Sequence, residues 1–230
     1  SFLSGEYARG IVAGTVPAPA PIRRVAGRHL EEIENPPAGF RWEPERWDQM
    51  AEWMRGLKVL DNNGVQRPYE PLPWVNWSMS MAVGWVTEEG FPRYRECAFE
   101  VARGAGKTLA VMAWVLYVAT HHKGAHLAVI CKNARHALTI WGGKCHELVS
   151  ENDLPLSVTL SASNPGARSR EMLSAVSFMV PKPGSLQGLT CGPGPAYVLD
   201  EYSEHQATDQ PFEEAIWQGA GKSKAAQIVS

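Results

Sequence analysis

Cys97-Ala-Phe-Glu-Val-Ala-Arg-Gly-Ala-Gly-Lys-Thr108 decides the fold. The apolar start predicts a strand over 97–102, the glycines a loop, and the apolar run after Lys107 a helix over 108–120. Strand, glycine loop and helix, in that order, are what a phosphate-binding loop requires. Gly104 and Gly106 let the backbone approach a phosphate chain closely. The loop N–H groups, from Arg103 through Ala105 to Lys107, and the positive end of the helix would hold the anion. Lys107 would reach the β- and γ-phosphates, and the Thr108 hydroxyl would bind Mg²⁺. The full pattern G-x-x-x-x-G-K-[ST] has a glycine where Val101 stands. The shortened motif is weak alone and gains its specificity from the elements on either side.

Working outward, apolar runs compatible with strands fall at 126–132, 157–160, 175–180 and 196–199, and helical runs at 133–150 and 210–218. This alternation predicts an α/β domain with a mostly parallel central sheet flanked by helices. The run Pro195-Ala-Tyr-Val-Leu-Asp200-Glu201 is a short apolar strand ending in two carboxylates. In an open parallel sheet such ends line the ligand crevice. Asp200 would hold Mg²⁺ there, and Glu201 would orient and deprotonate an attacking water. A solvated strand end is the bland alternative, and the preceding loop argues against it. A second short glycine motif, Gly219-Ala-Gly-Lys-Ser223, follows a helical run instead of a strand. It reads as a helix-ending turn.

Upstream, prolines at 17, 19, 21, 36 and 37 bracket a short helix over 22–34. Residues 44–58 read as an amphipathic helix, with Trp47, Met50, Met54 and Leu57 at helical spacing. Asp61-Asn62-Asn63-Gly64 is a loop, and a third helix is expected over 74–86. Residues 1–66 are therefore taken as a helical N-terminal extension and linker, and 67–230 as the nucleotide-binding domain. Trp42, Trp47 and Trp53 are expected to pack the helical part against the sheet.

The chain has 230 residues, 44% hydrophobic and 20% charged, ordinary proportions for a globular protein. The longest apolar stretch, 109–119, is about half the length needed to span a bilayer, and residues 1–14 lack the basic head of a secretory signal. Four scattered cysteines and seven histidines show no ligand spacing, which argues against structural zinc. A net charge of −2 gives no global sign of nucleic-acid binding, so any DNA contact would be local or made by an assembly.

Three blocks together resemble the large terminase subunit of tailed double-stranded DNA phages. These are Phe2-Leu-Ser-Gly-Glu-Tyr-Ala-Arg-Gly-Ile-Val-Ala-Gly14 with Arg28-His-Leu30, then Pro71-Leu-Pro-Trp74 through Val83-Gly-Trp85, and finally 92–108 with the Asp200-Glu201 strand. The resemblance implies a P-loop NTPase of the additional-strand, catalytic-glutamate type. It also implies Mg²⁺-dependent ATP hydrolysis that drives viral DNA into a preformed procapsid, in the host cytoplasm during virion assembly. The implied partners are double-stranded DNA, the portal or procapsid, a small terminase subunit and further copies of this chain in a ring. The isolated chain is expected to be a monomer, with no membrane contact. Val101 and Arg103 match the family's loop, in which an arginine contacts the γ-phosphate; alternatively Arg103 is solvated or pairs with Glu100. An arginine acting on a neighbour's ATP would be Arg168 or Arg170, in a loop over 164–170. Trp74 and Asn76 are the candidate adenine contacts, although Val75 stands where the family has glutamine. The strand expected at 226–230 would lead into the family's coupling motif. Neither that motif nor a nuclease carboxylate cluster occurs in this sequence, so DNA cutting is not assigned.

Two other readings compete. One is a helicase-like or other DNA-translocating ATPase, against which the 71–108 block argues. The other is a nucleotide-binding module without turnover, against which Lys107, Thr108, Asp200 and Glu201 argue. A small-molecule kinase would have no need of Glu201 beside Asp200.

Overall fold

The computed structural model describes residues 2–61, 63–102, 104–161, 165–180, 194–200, 216 and 226–230. In chain order the elements are α1 (Phe2–Ala13), α2 (Ala20–Glu34), β1 (Phe40–Trp42), α3 (Pro44–Gly56), β2 (Lys58–Leu60), β3 (Gln66–Pro68), α4 (Pro73–Gly84), β4 (Trp85–Thr87), β5 (Glu96–Cys97), α5 (Lys107–His121), β6 (His126–Ile130), α6 (Ala134–His136), a π-helical stretch Ala137–Gly142, α7 (Gly143–Glu151), β7 (Ser157–Thr159), β8 (Gly166–Ser169), β9 (Ser174–Met179), β10 (Gly194–Leu199) and β11 (Ala226–Val229). Among the described residues no helix is long and apolar enough to cross a membrane. The expected helix over 210–218 and the motif at 219–223 lie outside the described residues, apart from helical Ile216.

These elements form two compact units. Ser1–Arg55 with Glu70–Tyr94 make one, and Gly56–Tyr69 with Arg95–Ser230 make the other. This differs from a division at 66/67. The segment 70–94 joins the N-terminal helices because α4 and β4 complete their core, whereas the β2–β3 hairpin joins the larger unit.

The first unit is built on proline-started helices. Proline occupies the first turns of α2 and α4, where a missing N–H costs nothing. The helix α1 was not anticipated, since Gly5 and Gly10 lower its intrinsic propensity. It forms because Ala8 and Ile11, one turn apart, are buried with Ala26 of α2 and Trp77 of α4. The helix expected over 74–86 stops at Gly84, and Trp85-Val-Thr87 is extended. It pairs antiparallel with β1, Trp42 opposite Trp85. Gly84 is needed there, because a side chain on it would run into the Trp42 ring. His29 lies edge-on to Trp42 and Trp85, and the Trp85 indole donates to His29 Nδ1 at 3.2 Å. Arg93 forks onto Glu32 at 2.7 and 3.2 Å and lies over the Phe40 and Trp85 rings.

The second unit is a seven-stranded sheet in the order β5-β11-β10-β6-β9-β8-β7. The five strands from β5 to β9 are mutually parallel, and β8 and β7 add antiparallel at one edge. A mostly parallel sheet flanked by helices is thus present, with an antiparallel margin. The strand expected over 97–102 is regular only at Glu96–Cys97, with one further sheet hydrogen bond at Phe99. The loop expected over 164–170 contains β8, whose tight seat against β9 needs Gly166, since a Cβ there would collide with the Val176 carbonyl. The helix α5 is apolar on all sides and buried from Ala110 to Ala119 except Tyr117, as suits a helix enclosed by other elements. The β2–β3 hairpin turns where the sequence predicts. Asp61 Oδ1 accepts from the N–H groups of Asn63 and Val65 at 2.9 and 3.0 Å, and Gly64 takes the left-handed conformation. Asn152, the C-cap of α7, clasps the hairpin through the Lys58 N–H at 2.6 Å and the Lys58 carbonyl at 3.0 Å.

Candidate functional site

The loop before α5 is set by two glycines. Beyond β5 the chain stays on the sheet through Phe99, whose N–H donates to the Ser230 carbonyl at 2.7 Å, then turns with Ala105 N–H on the Ala102 carbonyl at 3.1 Å. Gly104 and Gly106 have φ of 82° and 78°. A Cβ on Gly104 would meet nothing within 4 Å, so backbone conformation, not space, demands glycine there. Gly106 is the N-cap of α5 and, having no side chain, does not cap that end itself; the first N–H groups of such a helix point outward, where an anion can be held. Lys107 opens the helix and Thr108 follows. Arg103 lies outside the described residues.

Asp200 stands directly after β10. Its N–H donates to the Ile130 carbonyl at 2.9 Å, extending the pairing of β10 with β6 by one step. The side chain is buried at 7% exposure. Its Oδ2 accepts the Trp141 Nε1–H at 2.7 Å. His136 Nδ1 lies 3.0 Å from the same oxygen without the alignment of a hydrogen bond. Lys107 and Asp200 line one recess, about 250 Å³ of empty space including its open mouth, walled by Phe99, Val111, Trp141 and Val229 among others. The two residues singled out from separate motifs therefore face one partly apolar space at the C-terminal ends of the parallel strands. A cation and a carboxylate beside the first N–H groups of a helix form a set that suits a metal-bound phosphate chain. Glu201, next in the chain, lies outside the described residues.

The sequence reading missed the element that carries Trp141. The stretch 133–150 was expected to be one helix. Its start is as expected, with Asn133 Oδ1 accepting the His136 N–H at 2.8 Å. The helix then widens into a π turn over Ala137–Gly142 before α7. Such turns concentrate at functional sites. Trp141-Gly142-Gly143 was the available signal, a large donor followed by two glycines inside a helical run. Gly142 is packed tightly, since a Cβ there would lie 3.0 Å from Leu160 and 3.2 Å from the Ala137 carbonyl.

The remaining candidates lie elsewhere. Arg168, on β8, and Arg170, just after it, are both exposed. Arg168 pairs with Ala175, which pairs with His126, whereas Leu199 beside Asp200 pairs with Ile130. Arg168 is thus three strands from β10, about 14 Å, and about 13 Å nearer the opposite end of the strands. Neither arginine belongs to the recess of its own chain. Trp74 and Asn76 are in α4, in the first unit. Asn76 is buried, its Nδ2 donates to the Pro71 carbonyl at 2.9 Å, and its Oδ1 has no hydrogen-bond partner among the described residues. Cys97 and Cys145 are free thiols, each pushed up to about 12 by burial and hence poor nucleophiles.

No protein-family model matches the chain, and no curated protein matches it. Among solved structures, the large terminase of bacteriophage HK97 aligns over 80% of this chain with a TM-score of 0.65 and 14% identity. The aligned part is 37% of that protein's length. The large terminase ATPase domain of Thermus phage P74-26 aligns over 59% of this chain and 57% of that one, at 21% identity and a TM-score of 0.40. The likeness to the HK97 protein is one of fold, a mixed α/β architecture with a central sheet flanked by helices.

Proposed function

We propose that this chain is the ATPase part of a phage large terminase subunit, a P-loop enzyme that hydrolyses ATP to drive double-stranded viral DNA into a procapsid. The observation that supports this most is the single recess lined by Lys107 and Asp200, on a fold in common with the HK97 large terminase. In this reading Arg103, Gly104, Ala105, Gly106, Lys107 and Thr108 cradle the phosphates through backbone N–H groups and the Lys107 ammonium. Thr108 and Asp200 would hold Mg²⁺, which when bound neutralises charge on the phosphate oxygens. Glu201 takes the proton of the attacking water and holds that water in line. The apolar walls, Phe99, Val111 and Val229, keep bulk water from these charges and so strengthen their mutual effect.

Arg168 and Arg170 lie too far from the recess to act in their own chain. Either would serve a neighbour in a ring of copies assembled at the portal, with the small terminase subunit as a further partner. The isolated chain would then be a slow, monomeric ATPase, working in the host cytoplasm during virion assembly. Trp74 and Asn76 remain the proposed adenine contacts.

The test is ATP hydrolysis measured against protein concentration, with and without empty procapsids. Hydrolysis per subunit is expected to rise steeply where rings form. Lys107→Ala should abolish tight ATP binding, whereas Lys222→Ala, in the second glycine motif, should leave it nearly intact. Unchanged affinity in Lys107→Ala would remove the loop from this function, and activity that is flat with assembly would make the chain a self-sufficient ATPase.

A further inference from the structure

The Asp200 carboxylate is buried, and a buried polar group calls for a hydrogen-bond partner. Among the described residues, the side chain that supplies an aligned hydrogen bond is the indole of Trp141, at 2.7 Å to Oδ2. Indole N–H only donates, and it has no lone pair for a metal. It occupies one carboxylate oxygen without competing for a cation. Oδ1 has no hydrogen-bond partner among the described residues. Trp141 itself is 2% exposed and borders the same recess as Lys107. It is delivered by a π turn, a rare departure from the α-helix that would otherwise run from Ala134 to Glu151. The turn is held by close packing at Gly142. Among the described residues, His136 Nδ1 also lies near Oδ2, at 3.0 Å and out of line for a hydrogen bond.

We propose that Trp141 is the positioning residue for Asp200. Its N–H locks one carboxylate oxygen, so that the other is presented to the metal accompanying the nucleotide. This rests on the reading of Asp200 as the metal-binding carboxylate. The π turn is then part of the site, since it sets where along the helix the indole emerges.

The experiment uses the full chain and has two arms. In the first, ATP binding in EDTA and the Mg²⁺ dependence of ATP hydrolysis are compared for the wild type and Trp141→Phe, which keeps most of the ring volume and loses the donor. The Mg²⁺ concentration for half-maximal hydrolysis should rise about 10- to 100-fold, as for loss of an outer-shell partner to a metal ligand. Metal-free ATP affinity and the rate at saturating Mg²⁺ should be nearly unchanged. A merely structural role would lower the rate or the affinity and leave the Mg²⁺ requirement alone, and that result overturns the proposal. The second arm needs no tryptophan variant to fold. The assigned Trp141 indole ¹H–¹⁵N resonance should move in Asp200→Asn, and in the wild type when Mg²⁺ and ATP are added together. A resonance indifferent to both overturns the proposal even if hydrolysis is normal. A wild-type protein that binds no Mg²⁺–ATP overturns the functional reading itself, and this proposal with it.

Discussion

Lowering the pH should destabilise the first unit through His29. The imidazole is 1% exposed. Trp85 Nε1 can only donate, so His29 Nδ1 must accept. The ring proton then sits on Nε2, which has no partner. Protonating Nδ1 would set two N–H groups against each other and charge a ring enclosed by Trp42 and Trp85. Burial accordingly pulls His29 from 6.5 down to about 4, a fall that Glu32 opposes and Arg93 reinforces. Between these values the unfolded chain carries the extra proton. Stability therefore rises with pH through this window, and is lost as pH falls below about 6.5 towards about 4. At about 1.4 kcal/mol per pH unit the full effect is about 3 kcal/mol, of which about 2 kcal/mol falls between pH values of about 7 and 4.5. The assay is urea denaturation at those two pH values, for the wild type and His29→Gln, whose amide accepts a hydrogen bond but does not titrate. The wild type should lose about 2 kcal/mol more than the variant. Equal losses would refute the argument that burial holds His29 neutral. Glu32 does not confuse the result. The hydrogen bond from Arg93 holds its carboxyl below the ordinary 4.5, so its contribution is lost only at lower pH.

The other predictions concern the sheet and the site. Gly166→Ala should cost about 1–3 kcal/mol in thermal or urea unfolding, because the new methyl meets the Val176 carbonyl across the β8–β9 pair; an unchanged midpoint would mean that β8 is not seated there. Glu201→Gln should bind ATP with Mg²⁺ and hydrolyse it about 10²- to 10⁴-fold more slowly. Normal turnover in that variant alongside a dead Asp200→Asn would reverse the roles assigned to the pair. Arg168→Ala or Arg170→Ala should leave activity in dilute solution and ATP affinity unchanged, and flatten the rise on procapsids. A loss already present in dilute monomer would place the arginine in its own chain's site.

What the sequence made legible follows from how local each determinant is. The loop from Gly104 to Thr108 was readable because left-handed backbone and a helix start are written in adjacent residues. Strand β10 was readable because an apolar run stops abruptly at Asp200, and the β2–β3 turn because Asp61 and Gly64 carry its chemistry locally. The helix α1 was not, since its glycines argue against a helix and only burial of Ala8 and Ile11 overrides them. Strand β8, next to the edge, was hidden for a related reason. Gly166 and two arginines look like loop residues until the carbonyl of Val176 shows why a glycine is required.

The π turn is the deepest case. In 133–150 only the pair Gly142-Gly143 after Trp141 interrupts the helical pattern, and the widening becomes intelligible beside the Asp200 carboxylate that accepts the Trp141 N–H. Asp200 was found as the end of a strand, and the link from it to Trp141 was not legible because the two are 59 residues apart in the chain. A motif read along the chain thus names the groups that would touch phosphate and metal, and tertiary structure adds the groups that aim them. Here that addition is a single indole on a non-α turn. Sequence searches for related sites would do better to pair the Asp200-type strand end with a tryptophan before a double glycine in the helix after the neighbouring strand of the sheet. The two features come from different parts of the fold, so their joint occurrence is more specific than either alone.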